Sequence, residues 1–420
     1  MEKVDLQLSL LTRGEDYCRA CSSKRLFSAL DLGTLPIANE LNKSPLDKFD
    51  LFKLHLKICE ECGLGQVADV FSSNRLFEDY RYLSSASTSF KKHAENYVRT
   101  IINELKIEKE DYVLEIASND GYLLSNFMEK GINVLGVEPA QNIAVISRSL
   151  GIPTISNFFG EELAEEILSK YGYPRLIIAN NVLAHVPDIR DFMKGLARLS
   201  NSRTRISVEN PRLRNIIEKN QFDTIYHEHF SYLSCRAVHR LAHEFNLLLY
   251  DLDSIETHGG SNRYWLMLDE SRVTQSESLK SEIQKEILGK LFEPSTWINQ
   301  QEIVNEYLVS FRQFLEAQLN LGRNVVGYGA AAKASTLINS AQIDKKLLPS
   351  IADVSFEKQG RFMPCKNIQI ISPENLVSIC PDIIVLFVWN ISLEILQWVN
   401  TNGLSKTEVW QTIPELKRIQ

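Results

Sequence analysis

The sequence of 420 residues contains no apolar run of about 18 residues, the length that a membrane-spanning helix needs. Its first residues, MEKVDLQLSLLTRGED, lack the basic start and the cleavage site of a secretory signal. Basic residues are also in deficit, because 46 Lys and Arg stand against 53 Asp and Glu, a net charge of −7. We therefore expect a cytoplasmic protein with no membrane partner and no nucleic-acid partner. A small anionic substrate held by a few local cations remains compatible with this charge.

Cysteine is scarce, and the total of seven is odd, which disfavours a disulfide framework. Four of the seven form two CxxC pairs within YCRAC and KICEECGLGQ, namely Cys18, Cys21, Cys59 and Cys62. Such pairs are typical of a tetrahedral structural zinc site, although free thiols are the alternative. Four cysteine ligands would leave no open position on Zn²⁺, so the predicted role of the metal is to hold a small module together.

The length predicts more than one domain. Residues 1–80 contain the cysteine module, and residues 81–272 alternate strands with helices, as in a Rossmann-like sheet. A polar helical stretch opens residues 273–420, which then repeat the order of strand, glycine turn and helix. The predicted fold class is therefore α/β: a Rossmann-like middle domain, flanked by a small zinc-binding domain and a C-terminal Rossmann-like domain.

The run VLEIASNDGYLL at 113–124, followed by GVEP at 136–139, has the layout of a site for S-adenosylmethionine (SAM). The middle domain is therefore predicted to be a Rossmann-like SAM methyltransferase domain. A buried strand leads into a turn at Gly121, and the next strand ends in Glu138, where a carboxylate can bind ribose hydroxyls. A dinucleotide is disfavoured, because Glu115 and Asp120 would repel a pyrophosphate and the turn has a single glycine. The candidate cofactor-binding residues are Glu115, Ala117, Asn119, Asp120, Gly121, Glu138, Pro139, Asn180 and Asn181.

The densest polar cluster is DTIYHEHFSYLS at 223–234, which contains Tyr226, His227, Glu228 and His229. An imidazole, a carboxylate and a phenol at this spacing can form a general base near neutral pH. A structural loop or a metal-binding histidine pair would give the same pattern. His185 follows the strand RLIIAN, beside the predicted cofactor site, and is either a ligand contact or a hydrogen-bonded loop residue.

Three further stretches are candidates for substrate binding. LFEDYRYLSSAS contains Tyr80 and Tyr82, which either face an interdomain cleft or belong to the core. THGGSNR offers an anion site through His258, Ser261 and Arg263. GYGAAAK could bind NAD or the phosphates of a sugar nucleotide, through Gly327, Tyr328, Gly329 and Lys333.

Taken together and in this order, the motifs of this chain resemble those of the sugar-nucleotide C-methyltransferases. The motifs that carry the resemblance are CRAC, CEECGLGQ, LEIASNDG, GVEP, ANNVLAHVPD, FDTIYHEHFSY, THGGSNR, GYGAAAKASTLIN and KQGRFMP. The resemblance spans nearly the whole chain. It implies zinc on the four cysteines, SAM in the middle domain, and a C-terminal domain that helps to hold a nucleotide diphosphate. One departure is Ala117, which stands where the family usually has glycine.

The resemblance also implies a reaction, the C-methylation of a nucleotide-linked 4-keto deoxysugar next to its ketone. His229 is then the base, Glu228 and Tyr226 orient it or bind substrate, Tyr80 and Tyr82 contact the keto sugar, and His185 lies near the reacting carbon. The expected substrate is linked to dTDP, GDP or CDP, and the expected state is a monomer. An NAD-dependent sugar-nucleotide oxidoreductase or epimerase is an alternative, as is a non-catalytic binding protein. A zinc-containing nucleic-acid methyltransferase is disfavoured by the net charge of −3 in residues 1–80.

Overall fold

The computed structural model describes residues 16–44, 46–68, 83, 85, 88–256, 259–269 and 273–420, and only the backbone of residues 88–90. Its strands form three sheets. The first is a four-stranded sheet in the order β1-β2-β3-β9, built from Leu26–Pro36 (β1), Leu51–Cys59 (β2), Gly65–Gln66 (β3) and Ser231–Tyr232 (β9). Strand β9 begins two residues after the HEH motif, which is His227, Glu228 and His229. The cysteine module and the predicted catalytic loop therefore share one sheet.

The second sheet has seven strands in the order β10-β11-β8-β7-β4-β5-β6. Five strands are parallel and two form an antiparallel hairpin. The parallel strands are Tyr112–Ile116 (β4), Asn133–Val137 (β5), Thr154–Ile155 (β6), Leu176–Asn180 (β7) and Arg205–Pro211 (β8), and the hairpin consists of Leu247–Ile255 (β10) and Ser261–Leu268 (β11). The helices between them are Thr88–Leu105 (α1), Leu124–Glu129 (α2), Gln141–Ser149 (α3), Glu161–Tyr171 (α4), Ile189–Arg198 (α5), Asn215–Glu218 (α6) and Cys235–Glu244 (α7). Short 3-10 turns cover Leu183–His185 and Phe222–Thr224. This strand and helix order is the Rossmann-like methyltransferase fold.

Two helices lead out of the second sheet, Glu277–Leu288 (α8) and Pro294–Asn320 (α9). The third sheet has the order β14-β13-β12-β15-β16-β17, with β12 at its centre and four parallel pairings. Its elements are Val325–Tyr328 (β12), Ala332–Ser340 (α10), Ser350–Ala352 (β13), Gln369–Ile371 (β14), Pro373–Ile379 (α11), Ile383–Leu386 (β15), Ser392–Thr401 (α12), Glu408–Gln411 (β16) and Lys417–Arg418 (β17). This confirms the predicted second Rossmann-type layer.

One apolar core joins the first and third sheets. Leu54 and Leu56 of β2 belong to the same cluster as Phe311 of α9 and Val385 of β15. A second core lies within the seven-stranded sheet and includes the cysteines. The predicted domain boundaries near residues 80 and 272 lie at positions outside the described ranges, so they stay predictions. Within the described residues, no helix is both long and apolar enough to cross a bilayer.

Candidate active site

The four predicted metal-binding cysteines converge at one end of the first sheet. Gly63, at φ +77°, forms the turn after Cys62, and its N–H donates to the Cys59 carbonyl. The four sulfur atoms lie within 4.8 Å of one another, with Cys18 Sγ 3.5 Å from Cys62 Sγ and Cys21 Sγ 3.6 Å from Cys59 Sγ. Thiolates about 2.3 Å from one tetrahedral zinc ion would be about 3.8 Å apart. The cluster therefore fits a closed zinc site.

The turn after β4 wraps around the carboxylate of Glu138. The Asn119 N–H donates to Glu138 Oε2 at 2.9 Å, and the Ala140 N–H donates to Oε1 at 2.9 Å. Ala117, Asn119 and Gly121 all have positive φ values, of 57°, 50° and 82°. Because a side chain crowds the backbone in this region, Ala117 carries a cost of about 1 kcal/mol that glycine would not. The chain's departure from the family's glycine therefore falls on a backbone position that favours glycine.

Buried acceptors without partners gather at the carboxyl ends of β4 and β7. Among the described residues, Glu115 Oε2, Asp120 Oδ1 and Asn180 Oδ1 receive no hydrogen bond. The other oxygen of Asp120 accepts from the Ser85 N–H at 3.1 Å. Burial, with Asp120 and Glu138 nearby, raises the pKa of Glu115 well above its usual value. These acceptors suit a cationic ligand with N–H and O–H donors, as the amino group, sulfonium and ribose of SAM would provide.

The remaining predicted cofactor residues differ in what they contact. A Cβ on Gly121 would lie 2.4 Å from the Ile152 side chain and 2.9 Å from Ser147 Oγ, so this glycine allows α3 to approach the turn. Pro139, which follows Glu138, is partly buried. Asn181 has a φ of 53°, and its N–H donates to the Glu209 carbonyl at 2.7 Å. Gly121 is therefore explained by helix packing, whereas Glu138 is placed at the cofactor crevice.

The predicted base lies in an aromatic cluster beyond the end of β7. His229 Nδ1 faces the Thr224 carbonyl at 3.3 Å, so this nitrogen carries the proton, and Nε2 lies 2.7 Å from the Tyr226 hydroxyl. The rings of His185 and His229 meet edge to face, with centroids 4.6 Å apart. Burial lowers the pKa of His185 to about 4, which keeps its ring neutral. The structure thus brings His185, Tyr226 and His229 together, as the sequence predicts.

Glu228 and His227 point away from His229 towards the cysteine module. Glu228 Oε1 accepts from the Asn39 N–H at 3.0 Å and from Asn39 Nδ2 at 3.1 Å, while its backbone carbonyl accepts from His185 Nδ1 at 2.7 Å. His227 Nε2 lies 3.2 Å from the Phe52 carbonyl of β2. Burial raises the pKa of Glu228 and lowers that of His227 to about 4. Glu228 therefore orients His185 through its carbonyl, and its carboxylate bonds Asn39, not the His229 ring.

The predicted anion site in THGGSNR is only partly described, since His258 lies outside the described residues, as do Tyr80 and Tyr82. Ser261 begins β11 and pairs with Pro211. Arg263 is buried beneath α1, where its Nη2 donates to Glu209 Oε2 at 2.6 Å and its guanidinium stacks over the Tyr97 ring at 4.2 Å. Its guanidinium is thus committed to an ion pair inside the second sheet.

The C-terminal turn places its four predicted residues differently. Gly327 lies within β12, where a Cβ would be 3.0 Å from both Ile351 and Phe387, and Tyr328 is buried against Trp398. Gly329, at φ +95°, forms the turn after β12. Lys333 is at the start of α10, 4.3 Å above the Trp389 ring and bonded to Asn390 Oδ1. Gly329 and Lys333 therefore occupy the end of the sheet at which α/β folds bind ligands, whereas Gly327 and Tyr328 are packing residues.

Three residues near the site carry no signal that singles them out in the sequence. Asn39, which binds Glu228, is 189 positions away from it, and only the fold brings the two together. Asn210 is buried at the end of β8, and among the described residues its Nδ2 donates no hydrogen bond and its Oδ1 accepts none. Asp223 is the first residue of the polar cluster at 223–234 and accepts from the Nε1–H of Trp389, which follows β15. Its place in that cluster does not distinguish it from its neighbours.

Three family models match successive parts of the chain. Residues 18–77 match a putative zinc binding domain, residues 90–252 match a methyltransferase domain, and residues 256–411 match a C-methyltransferase C-terminal domain. A relative from Streptomyces niveus, "C-methyltransferase NovU", is 30% identical over 395 residues, which are 92% of each chain. The chain belongs to the C-methyltransferase family. It is a SAM-dependent methyltransferase with a four-cysteine zinc-binding domain, which confirms the predicted enzyme class and both predicted cofactors.

Solved methyltransferase structures resemble this C-methyltransferase family member over less than half of its length. A SAM-dependent methyltransferase from Clostridium acetobutylicum is 12% identical, with a TM-score of 0.34, over 42% of this chain and 92% of its own. Magnesium protoporphyrin IX methyltransferase from Synechocystis, solved with bound SAM, is 13% identical, with a TM-score of 0.32, over 46% of this chain and 88% of its own.

Proposed function

We propose that this enzyme methylates a nucleotide-linked 4-keto deoxysugar at a carbon next to the ketone, through an enolate. The observation that carries the proposal is the His229 cluster, in which the Tyr226 hydroxyl lies 2.7 Å from the imidazole Nε2. The unpartnered carboxylate oxygens of Glu115 and Asp120 at the carboxyl end of β4 support a cationic cofactor. A ketone acidifies the adjacent C–H bond, and general-base removal of that proton is a task for an imidazole near neutral pH. The likeness to a C-methyltransferase supports the carbon acceptor.

His229 Nε2 is the proposed proton acceptor. Its other nitrogen is held by the Thr224 carbonyl, so the lone pair is on Nε2, beside the Tyr226 hydroxyl. As Nε2 takes the substrate proton, the ring becomes cationic, and neutral His185 at 4.6 Å does not oppose that charge. In the free enzyme the Tyr226 hydroxyl donates to the Nε2 lone pair, and in the proposed step it turns from Nε2 to the enolate oxygen, which leaves Nε2 free to take the substrate proton.

Residues of the β4 turn are the proposed cofactor ligands. Glu138 keeps lone pairs beyond its two backbone bonds for the ribose hydroxyls, while Glu115 and Asp120 face the cationic part. Bound SAM supplies an electrophilic methyl group to the enolate carbon. Because the carboxylates lie at the carboxyl ends of β4 and β5 and His229 lies on another loop, the base and the methyl donor can approach the planar enolate from opposite faces. The nucleotide carrier, dTDP, GDP or CDP, is proposed to bind at the turn of Gly329 and Lys333.

The test combines binding with chemistry. Isothermal titration with S-adenosylhomocysteine (SAH) and with dTDP, GDP and CDP should show binding of SAH and of one nucleotide. The enzyme mixed with SAH and the matching 4-keto sugar nucleotide in D₂O should exchange the hydrogen next to the ketone, and SAM should then add a methyl group at that carbon. NAD reduction without methyl transfer, or methyl transfer to oxygen, would contradict the proposal.

A further inference from the structure

Asp223 is a buried carboxylate that the proposed chemistry does not use. It lies in the 3-10 turn Phe222–Thr224, three residues before Tyr226 and six before His229, and is 1% exposed. The loop that follows, residues 225–230, carries the base and enters β9 of the first sheet. A charged group buried here requires compensation from its surroundings. The compensation comes from the third sheet.

Trp389, which follows β15, provides the hydrogen bond. Its Nε1–H donates to Asp223 Oδ2 at 2.7 Å, with both side chains buried. Two residues further along the loop, the Ile225 carbonyl accepts from Thr336 Oγ1 of α10 at 2.8 Å. The Phe222 ring also meets the Tyr307 ring of α9, with centroids 5.5 Å apart. The third sheet and its helices therefore hold the loop immediately before Tyr226.

Lys333 connects this contact to the predicted nucleotide end of the third sheet. Its ammonium lies 4.3 Å from the centroid of the Trp389 ring and bonds to Asn390 Oδ1. Asp223 Oδ1, the other carboxylate oxygen, receives no hydrogen bond in the part of the chain that the structure describes. Burial raises the pKa of Asp223 to about 6, and the positive charge of Lys333 opposes that shift through space. An anionic ligand group that binds the Lys333 ammonium therefore changes the contact between Lys333 and the Trp389 ring. Trp389 is the residue that donates to Asp223.

We propose that Asp223 is a positioning residue for the base: its hydrogen bond with Trp389 fixes the His229 loop on the third sheet, so that a nucleotide carrier beside Lys333 aligns His229 with the sugar. The inference rests on the proposed function, because it takes the carrier from there. It assigns the C-terminal layer a role in the chemical step as well as in binding. The Asp223–Trp389 bond is called the loop contact below.

Gly259 limits how Trp389 can move. A Cβ on Gly259 would lie 2.3 Å from the Trp389 ring, so the glycine turn between β10 and β11 lies directly on the indole. The Gly259 carbonyl in turn accepts from Gln221 Nε2 at 2.9 Å and from Lys219 Nζ at 3.1 Å, both just before Asp223. Trp389 is therefore enclosed between the loop that it bonds and the turn on which it rests. A methyl group at Gly259 would collide with the indole and would also lie 2.8 Å from Gln221 Nε2, so it should disturb the loop contact from both sides.

The first experiment separates the hydrogen bond between Trp389 and Asp223 from the electrostatic interaction between Asp223 and Lys333. Trp389→Phe removes the N–H donor and keeps a ring under Lys333; Asp223→Ala removes the acceptor; Asp223→Asn keeps an oxygen that can accept from Trp389. We expect kcat to fall about tenfold in the first two variants, with the KM for sugar nucleotide and the affinity for SAH within about twofold. Asp223→Asn should retain most of the activity. The double variant Asp223→Ala with Trp389→Phe should be no worse than either alone.

The second readout asks whether the base has moved. Exchange of the substrate hydrogen in D₂O, measured with SAH in place of SAM, reports on His229 without methyl transfer, and it should fall in parallel with kcat in Trp389→Phe. Amide hydrogen exchange of residues 226–232 should rise in the same variant without any ligand. Unchanged kcat and unchanged substrate exchange in both Trp389→Phe and Asp223→Ala, with the fold intact by thermal melting, would overturn the inference.

A matched glycine pair supplies the control. Gly259→Ala and Gly33→Ala impose the same backbone cost, since both glycines have φ +87°, but a Cβ on Gly33 would meet no described atom within 4 Å. We expect Gly259→Ala to reduce substrate exchange and Gly33→Ala to leave it unchanged; equal effects would count against the loop contact. If the unmodified enzyme binds no nucleotide, the proposed function fails. Faster amide exchange of residues 226–232 in Trp389→Phe would still establish the loop contact.

Discussion

The second and third sheets share one layout and differ in the charge at their carboxyl ends. In the second sheet, the turn after β4 brings together the carboxylates of Glu115, Asp120 and Glu138. In the third sheet, the corresponding turn leads to Lys333. Burial raises the pKa of Glu115 and lowers that of Lys333 to about 8. In the absence of a ligand, burial therefore favours the neutral form of both side chains. The difference teaches that one layout can present negative charge at one sheet and positive charge at the other, which is the arrangement that the proposed binding of SAM and of a nucleotide requires.

The loop of His229 lies outside the strands of both sheets, and replacing the base on this loop has the largest expected effect. His229→Asn removes the proton acceptor, so we expect turnover to fall by about a thousandfold. Affinities for SAH and for the nucleotide should stay within about twofold, as measured by isothermal titration. His243→Asn, a change at an exposed histidine on α7, is the control and should leave turnover unchanged. Loss of SAH binding in His229→Asn would show that the loop also builds the cofactor site.

The second sheet is tested by removing its central carboxylate. Glu138→Ala leaves the Asn119 and Ala140 N–H groups without their acceptor and removes the proposed ribose contact. We expect SAH affinity to fall about a hundredfold, because charged hydrogen bonds contribute about 1.5–3 kcal/mol each. Nucleotide affinity should not change. The exposed Glu129→Gln on α2 is the matched control. An equal loss of both affinities would mean that the two sheets do not bind separate ligands.

The third sheet is tested with the opposite charge. Lys333→Met keeps most of the aliphatic length over Trp389 but removes the ammonium. We expect affinity for the nucleoside diphosphate to fall about tenfold, because one charge-assisted contact is lost. SAH affinity should be unaffected, and the exposed Lys345→Met should behave like the unmodified enzyme. Unchanged nucleotide affinity in Lys333→Met would leave Lys333 as a structural cation over Trp389.

The sequence was sufficient for everything that depends on local order. Alternation of apolar strands with helices predicted both parallel sheets, the CxxC pairs predicted the sulfur cluster, and the HEH motif predicted the meeting of Tyr226 and His229. It could not show that Glu228 turns towards Asn39, because motif spacing says nothing of a partner 189 residues away. It also placed Tyr328 and Arg263 among ligand-binding candidates, whereas burial gives one to the core and the other to an ion pair with Glu209.

The smallest expected effect concerns the charge of the cofactor itself. SAM carries a sulfonium charge that SAH lacks, so the ratio of their dissociation constants isolates the attraction of the sulfonium to the carboxylates. Burial raises the pKa of both Glu115 and Glu138, with Asp120 adding to the shift. As pH falls, these groups become protonated and lose their attraction for a cation.

We therefore expect the affinity of SAM relative to SAH to fall about threefold between pH 8 and pH 6, by isothermal titration. The amino and carboxyl groups that the two ligands share cancel in the ratio, so their own titration does not enter. A ratio that stays flat over this range would mean that the buried carboxylates of the second sheet do not sense the sulfonium, and that charge alone does not distinguish the two sheets.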